Sequence, residues 1–446
     1  MIFLSNKDNL KFGSFKGVMD RRDFIKNGFV AGAAAALGGS ALFAGSGCRS
    51  SVGTCQKRNS KQMKNPVMNG IDNIQAVKNA LKNYKIGLVT NPSAIDRECR
   101  TVADLLAAEN RVEVFFAPEH GIRGDLQNGV KFDDTIDPVY KKKVYSIYRP
   151  TLHLTEERVK DIDAVVYDIQ DVGSRAFSYL RTLAFLIEDC AKLNKELIVL
   201  DRINPLGLEA VEGVMPEGDF DKRWGYGIPW RFGLTHGEYA KMVNKRYYNN
   251  ACRLTVVPCC NLKRDMMFDD MDLFWSNPSP NLPNFTSALL YAGCTQFGQT
   301  NISEARGTTR PYEMYGAPFV DAYKVADELN KLKLKGVFFR PCAFTAEYNA
   351  FKKYLGECCR GVQIFVTDSH ALNTFEMGMW MLEVFRSCCK EFAIPFPNGR
   401  CDVRIFDPVL GSSDWRLGKQ STADFIIRGF KESAEFKKSV KEFMIY

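Results

Sequence analysis

From residue 80 onward the chain alternates between short apolar runs and longer stretches whose apolar residues recur at helical spacing. Lys85-Ile86-Gly87-Leu88-Val89 reads as a strand, and residues 100–109 as a helix. Val112-Glu113-Val114-Phe115-Phe116, Asp163-Ala164-Val165-Val166-Tyr167 and Leu197-Ile198-Val199-Leu200 read as further strands, with a helix over 177–194. Strands that are nearly continuous in apolar residues, each flanked by a helix, indicate a parallel sheet covered on both faces. The pattern therefore predicts a doubly wound α/β fold over residues 71–230. Past residue 230 the rhythm changes. A helix over 235–248 opens with Thr235 as N-cap and Glu238 three residues later, a capping box. A Pro/Asn-rich loop follows at Asn277-Pro278-Ser279-Pro280-Asn281, then strands near 336–340 and 361–367 and a helix over 370–390. This second α/β (α+β) region lacks a clean βαβ repeat, and we place the boundary near residue 230, with a C-terminal domain over 231–446.

The start of the chain follows another pattern. Met19-Asp20-Arg21-Arg22-Asp23-Phe24-Ile25-Lys26 matches the twin-arginine arrangement, and an uncharged Ala/Gly-rich run extends from Gly28 to Gly47. Ala and Gly contribute little hydrophobicity, so the run suits the apolar core of an export signal over residues 1–48 better than a membrane anchor. Gly45-Ser46-Gly47-Cys48 is an imperfect lipoprotein cleavage site, with Gly45 where Leu is usual. The expectation is an exported protein, periplasmic or held to the membrane through a lipid on Cys48. Residues 49–70 are mostly polar and read as a flexible tether.

This organisation changes the meaning of the net charge of +8. Residues 1–68 carry 11 Lys and Arg against 3 Asp and Glu, the whole of that excess, and the remainder holds 49 of each sign. The electrostatic footprint of a nucleic-acid binder is therefore absent. The 14 cysteines include the adjacent pairs Cys259-Cys260, Cys358-Cys359 and Cys388-Cys389. Export permits disulfides, but no CxxC pair or Cys/His cluster has zinc spacing, and no bridges are assigned.

In open parallel sheets ligands bind beyond the carboxyl ends of the strands. Here four such ends run into Thr90-Asn91-Pro92-Ser93, Pro118-Glu119-His120-Gly121-Ile122-Arg123-Gly124, Asp168-Ile169-Gln170-Asp171-Val172-Gly173, and Asp201-Arg202-Ile203-Asn204-Pro205, the last followed by Glu212. One end of this kind is ordinary turn chemistry; four together suggest a site. A second polar segment, Thr300-Asn301-Ile302-Ser303-Glu304-Ala305-Arg306-Gly307-Thr308-Thr309-Arg310-Pro311, has no apolar period. It reads as a contact loop, or as a structural ion pair of Glu304 with Arg306 or Arg310. The GxSxG, HExxH, GxxxxGK[ST] and GxGxxG templates are missing. Several carboxylates among hydrogen-bonding partners match the inventory of glycoside cleavage. Trp224, Tyr226, Trp230 and Trp275 are candidates either for stacking on sugars or for the core.

These motifs, with the Asn277–Asn281 loop, resemble the peptidoglycan exo-β-N-acetylmuramidases, glycoside hydrolase family 171, formerly a domain of unknown function. The resemblance runs from about residue 80 to the C-terminus. It implies a Rossmann-like domain joined to a smaller C-terminal domain, an active site in the cleft between them, and release of N-acetylmuramic acid from the non-reducing end of peptidoglycan-derived saccharides. It implies no metal or organic cofactor. Carried onto this chain, it makes Glu119 the leading catalytic acid, with Asp171 and Glu304 rivals for a second catalytic carboxylate. His120 would orient Glu119 or bind sugar. Asp168 and Gln170 would line the cleft, Asp201, Arg202, Asn204 and Glu212 would shape its floor, and Asn281 and Asn301 would contact substrate. Muramic acid carries a lactyl carboxylate, for which Arg123, Arg175, Arg202, Arg306 and Arg310 are the candidate cations. Two departures stand out: Ala305 replaces the family's usual Gly, which disfavours a positive φ, and Ile203 stands where Pro is common. Two other readings compete with the glycosidase: a non-catalytic lipoprotein that captures muropeptide sugars, and a hydrolase whose carboxylates hold a divalent ion.

Overall fold

The computed structural model describes residues 65–109, 111–148, 152–220, 225–348, 351–396 and 401–446. The expected twin-arginine segment, Cys48, the tether as far as residue 64, and Trp224 lie outside them. The apolar runs become β1 (Ile86–Thr90), β2 (Val112–Ala117), β4 (Lys143–Ser146), β5 (Ala164–Asp168), β6 (Glu196–Leu200) and β7 (Arg253–Val257), with a short β3 (Thr135–Ile136). They form one seven-stranded sheet in the order β3-β4-β2-β1-β5-β6-β7. Every neighbouring pair is parallel except β3 with β4.

Side-chain alternation explains why both faces are covered. Val165, Tyr167, Leu197 and Val199 point into a core shared with helices Ser178–Lys192 and His236–Tyr248. Their neighbours Ala164, Val166, Ile198 and Leu200 point the other way, into a core built with Ile74–Leu81 and Val102–Ala108. β1 and β5 are wholly buried, which is why their sequences read as continuous apolar runs rather than alternating ones. From β1 the chain winds outward through β2 and β4, and from β5 through β6 and β7. The strand order thus reverses between β1 and β5, the place where sheets of this type bind ligands.

The sheet does not stop at residue 230. The Thr235–Glu238 capping box is formed, with Glu238 N–H donating to Thr235 Oγ1 at 3.2 Å and Thr235 N–H to Glu238 Oε2 at 3.1 Å. Its helix leads back into β7, which pairs with β6. β7 is a half-buried edge strand of mixed polarity, so the pattern alone gave it no weight. The second sheet is antiparallel, in the order β8-β10-β9, built from β8 (Met314–Ala317), β9 (Val337–Thr345) and β10 (Cys358–Val366). In each adjacent cysteine pair one member turns inward: Cys259, Cys359 and Cys389 are buried, whereas Cys260, Cys358 and Cys388 are not.

Two helices of this second half, Phe285–Cys294 and Thr374–Cys388, touch backbone to backbone. A Cβ on Gly378 would lie 1.8 Å from the Gly293 carbonyl oxygen, and one on Gly293 would lie 2.1 Å from that of Thr374. Ala favours an isolated helix over Gly by about 1 kcal/mol, but here the backbones would have to separate, an overpacking cost of roughly 1–3 kcal/mol or more. Gly378→Ala is therefore expected to lower the urea midpoint. A midpoint at or above that of the parent protein would refute the contact.

Candidate active site

A cavity of about 520 Å³ opens at the carboxyl end of the large sheet, lined from both halves of the chain. Its size lies within the range of roughly 300–1,000 Å³ typical of small-ligand sites. Register explains how its first wall is assembled. Ala117 of β2 pairs with Ser146 of β4, so Glu119 and Tyr148, each two residues further on, emerge at the same level. Ser178, the first residue of the helix after β5, comes from the other side of β1.

These residues meet on one carboxylate. Glu119 Oε1 accepts from Tyr148 OH at 2.8 Å and from Gly129 N–H at 3.0 Å, and Oε2 accepts from Ser178 Oγ at 2.6 Å. Burial on its own would raise the Glu119 pKa. The neighbouring His120 and these three donors outweigh it and hold the carboxyl below its ordinary value of 4.5. Donors to the charged form have this effect, and the surroundings thus favour the opposite state from that of a resting general acid. His120 is buried, lines the cavity, and has Nδ1 2.8 Å from the Leu126 carbonyl oxygen. Its φ of +74° belongs to the turn closed by Gly121 N–H on the Pro118 carbonyl at 3.0 Å.

The opposite wall comes from the contact loop. Arg306 lines the cavity and, with Lys353, encloses Glu304, all three being buried. Glu304 Oε1 accepts from Arg306 through Nε, at 2.6 Å, and through Nη2, while Oε2 accepts from Lys353 Nζ at 2.9 Å. Burial would raise the Glu304 pKa, but the two cations bring it down to about 2. Glu304 does not line the cavity. Ala305 adopts φ +55°, so the loop keeps a left-handed residue despite its methyl group. Gly307 cannot be replaced so simply: it has φ +88°, and a Cβ there would lie 1.7 Å from the Tyr348 carbonyl oxygen.

Of the expected site residues, Glu119, His120, Arg175, Asn281 and Arg306 line the cavity. Arg175 does so with its guanidinium engaged by the backbone carbonyls of Val214, Ile228 and Val409, at 2.8–3.0 Å. The rest do not line the cavity. Asp168 and Arg202 form a buried ion pair. Asp171 Oδ1 accepts from the N–H groups of Val172 and Gly173 at 2.7 and 2.8 Å. Gln170 donates to the Asp171 and Ile203 carbonyls, and Asn204 to that of Leu234. Asp201 ties Thr235, Gly237 and the C-terminal Tyr446 together. Asn301 pins the backbone at Glu391 and Ala393. Arg123 is bound to Asp137, and Arg310 to Glu313, neither at the cavity.

Glu212, expected at the pocket floor, is a clamp between the halves. Oε1 accepts from Arg231 Nη1 at 2.8 Å, and Oε2 accepts from Thr374 N–H, Thr374 Oγ1 and Phe375 N–H at 2.7–3.1 Å. It thus sits at the positive end of helix Thr374–Cys388. The aromatic candidates are core residues too. Tyr226 and Trp230 are buried, and Trp275 packs edge-on against Phe268. The cavity's own aromatics are Tyr148, Phe177, Tyr291, Tyr312, Tyr348 and Phe351. These, with Ser178 and Arg181, were missed, and only the helical spacing of Ser178 and Arg181 could have linked two of them. Among the described residues one trio, Asp269, Asp270 and His370, places possible metal-ligand atoms within 4.8 Å of one another. All three are exposed, and none lines the cavity.

Comparison with known proteins agrees with this layout. Residues 86–286 match the family described as exo-beta-N-acetylmuramidase NamZ, N-terminal, and residues 289–446 match its C-terminal counterpart. The two segments meet beyond β7, as the sheet topology does. The peptidoglycan beta-N-acetylmuramidase NamZ of Bacillus subtilis (strain 168) is 35% identical over 397 residues, covering 87% of this chain and 94% of that protein. Crystal structures of two DUF1343 family proteins from Bacteroides fragilis NCTC 9343 superpose with TM-scores of 0.75 and 0.67, at 32% and 26% identity. Each covers 85% of this chain and 99% of its own.

Truncating Glu212 leaves Arg231 buried without its carboxylate, a loss of about 3–5 kcal/mol by analogy with other broken buried pairs. Glu212→Ala should therefore lower Tm markedly while leaving KM of the folded protein unchanged. A raised KM with an unchanged Tm would return Glu212 to the pocket.

Proposed function

The chain belongs to the exo-β-N-acetylmuramidase NamZ family, and we propose that its cavity holds the terminal N-acetylmuramic acid of a peptidoglycan fragment while Glu119, in its charged form, carries the release of that sugar. The observation behind this reading is the Glu119 carboxylate, the one carboxylate that lines the cavity among the described residues. Glycoside cleavage passes through a transition state with positive charge on the sugar ring. A fixed anion beside that ring stabilises it without reorganising at the moment of reaction. The same carboxylate can take a proton from the incoming water and return it to the departing sugar oxygen. Tyr148, Ser178 and the Gly129 amide keep it charged and aimed, and Tyr291, Tyr312 and Tyr348 offer faces and hydroxyls to a sugar.

The twin-arginine segment at Met19–Lys26 supports delivery of the chain across the membrane, to where peptidoglycan lies, with Cys48 as the candidate lipid site. N-terminal sequencing of the protein from fractionated cells tests this. A mature form starting at Cys48 is the lipoprotein outcome, and an uncleaved chain in the cytoplasm contradicts export.

Glu119→Gln should lower kcat on a chromogenic β-N-acetylmuramide by about 10²- to 10⁴-fold, with the protein still folded. A rate within a few fold of the parent enzyme would remove Glu119 from catalysis. An intact disaccharide recovered from the parent protein after long incubation would favour the capture reading instead. The pH profile separates the roles of the carboxylate. Because its folded pKa is depressed below 4.5, the charged form persists as pH falls through that value. Activity that needs it should hold down to about pH 4.5 and drop only below. If the protonated form were needed, kcat/KM would instead climb steadily toward acid pH.

A further inference from the structure

We propose that Arg306 is the seat for the substrate's lactyl carboxylate, and that Lys353, out of reach of the sugar, makes that seat positive. This rests on the muramidase reading and adds to it the residue that separates a muramic from a glucosamine end group. Charge accounting leads there. Glu304 is one carboxylate shared by two cations, Arg306 and Lys353. Lys353 Nζ donates to Glu304 Oε2 at 2.9 Å and to the carbonyls of Phe297 and Ile302 at 2.7 and 3.0 Å. Three acceptors around one nitrogen call for the charged ammonium, which has three N–H groups to give. With both cations charged, the trio sums to one net positive charge, in a place where charge is costly.

That surplus faces the cavity only through Arg306. Its Nε and Nη2 bind Glu304, and Nη1 has a single neutral acceptor, Asn128 Oδ1, at the long distance of 3.4 Å. The guanidinium plane is held by aromatic faces, with Phe351 at 4.4 Å and Tyr312 at 5.8 Å from the ring centroids. A pre-oriented fork with unspent N–H groups suits a carboxylate better than a hydroxyl. The other arginines fit less well. Arg123, Arg202 and Arg310 are paired with carboxylates away from the cavity, and the Arg175 fork is spent on backbone carbonyls. Arg181, three residues on from Ser178, also lines the cavity but already has a partner.

The test compares kcat/KM on chromogenic β-N-acetylmuramide, its lactyl methyl ester and β-N-acetylglucosaminide. The parent enzyme should prefer the free acid over both neutral substrates by about 10- to 100-fold, the weight of one charged hydrogen bond. Arg306→Met leaves Glu304 with Lys353 as a balanced pair, so it should fold, and it should erase most of that preference. Lys353→Met touches no substrate, yet leaves Glu304 to neutralise Arg306. It should weaken the preference in the same direction. A parent enzyme that favours the acid, with the preference intact in folded Arg306→Met, overturns the proposal and leaves the muramidase reading standing. Equal turnover of acid and methyl ester by the parent enzyme overturns it without any variant. A parent enzyme that cleaves only the glucosaminide overturns both.

Discussion

A carboxylate at the end of a buried parallel strand must find donors before it can do anything else. Leaving one uncompensated in a protein interior costs several kcal/mol, and the ends of β2, β5 and β6 and the segments that follow them carry Glu119, Asp168, Asp171, Asp201 and Glu212. The fold answers in four of the five cases with scaffold partners: an arginine for Asp168, backbone amides for Asp171, a hydroxyl, an amide and the C-terminal tyrosine for Asp201, and an arginine with a helix start for Glu212. The partners of Asp201 and Glu212 also join the two halves of the chain. Glu119 is the exception. Its donors, Tyr148, Ser178 and Gly129, satisfy it without covering it, and it lines the cavity.

The same constraint shapes the far wall. There one carboxylate, Glu304, is given two cations, and the imbalance leaves positive character on Arg306. The cavity therefore presents a fixed anion and a fixed cation to one ligand. An anionic sugar whose ring becomes cationic during cleavage matches that pair in both respects. The loop that holds Arg306 is itself tightly determined, since Gly307 has no room for a side chain beside Tyr348 and Ala305 is held at φ +55°.

Much of this was legible in the chain before any geometry. Buried strands announce themselves as continuous apolar runs, so β1, β2, β5 and β6 were placed within a residue or two, and the Thr235–Glu238 box marked its helix. Motif resemblance pointed to the right family. Strand-end carboxylates could not be sorted from the sequence, because turn formers, scaffold anchors and catalytic groups draw on the same residue types. What separates them is whether the partners enclose the carboxylate, as Arg231 and Thr374 do for Glu212, or leave it at the cavity, as with Glu119. Tyr148 was invisible for a related reason. Its position follows from the register of β2 with β4, and β4 is a four-residue strand with a lysine and two exposed or half-exposed positions. The aromatic candidates Tyr226 and Trp230 went to the core, where large rings bury the most surface.

On this reading one cavity grips a terminal muramic acid with Glu119 at its glycosidic bond and Arg306 at its lactyl group. The most direct measurement is a crystal structure of the Glu119→Gln protein soaked with a disaccharide that has N-acetylmuramic acid at its non-reducing end. An intact ligand should occupy this cavity, with its anomeric carbon beside residue 119 and its lactyl carboxylate on the Arg306 guanidinium. A ligand seated with its reducing end toward residue 119, or bound outside the cavity, would contradict it.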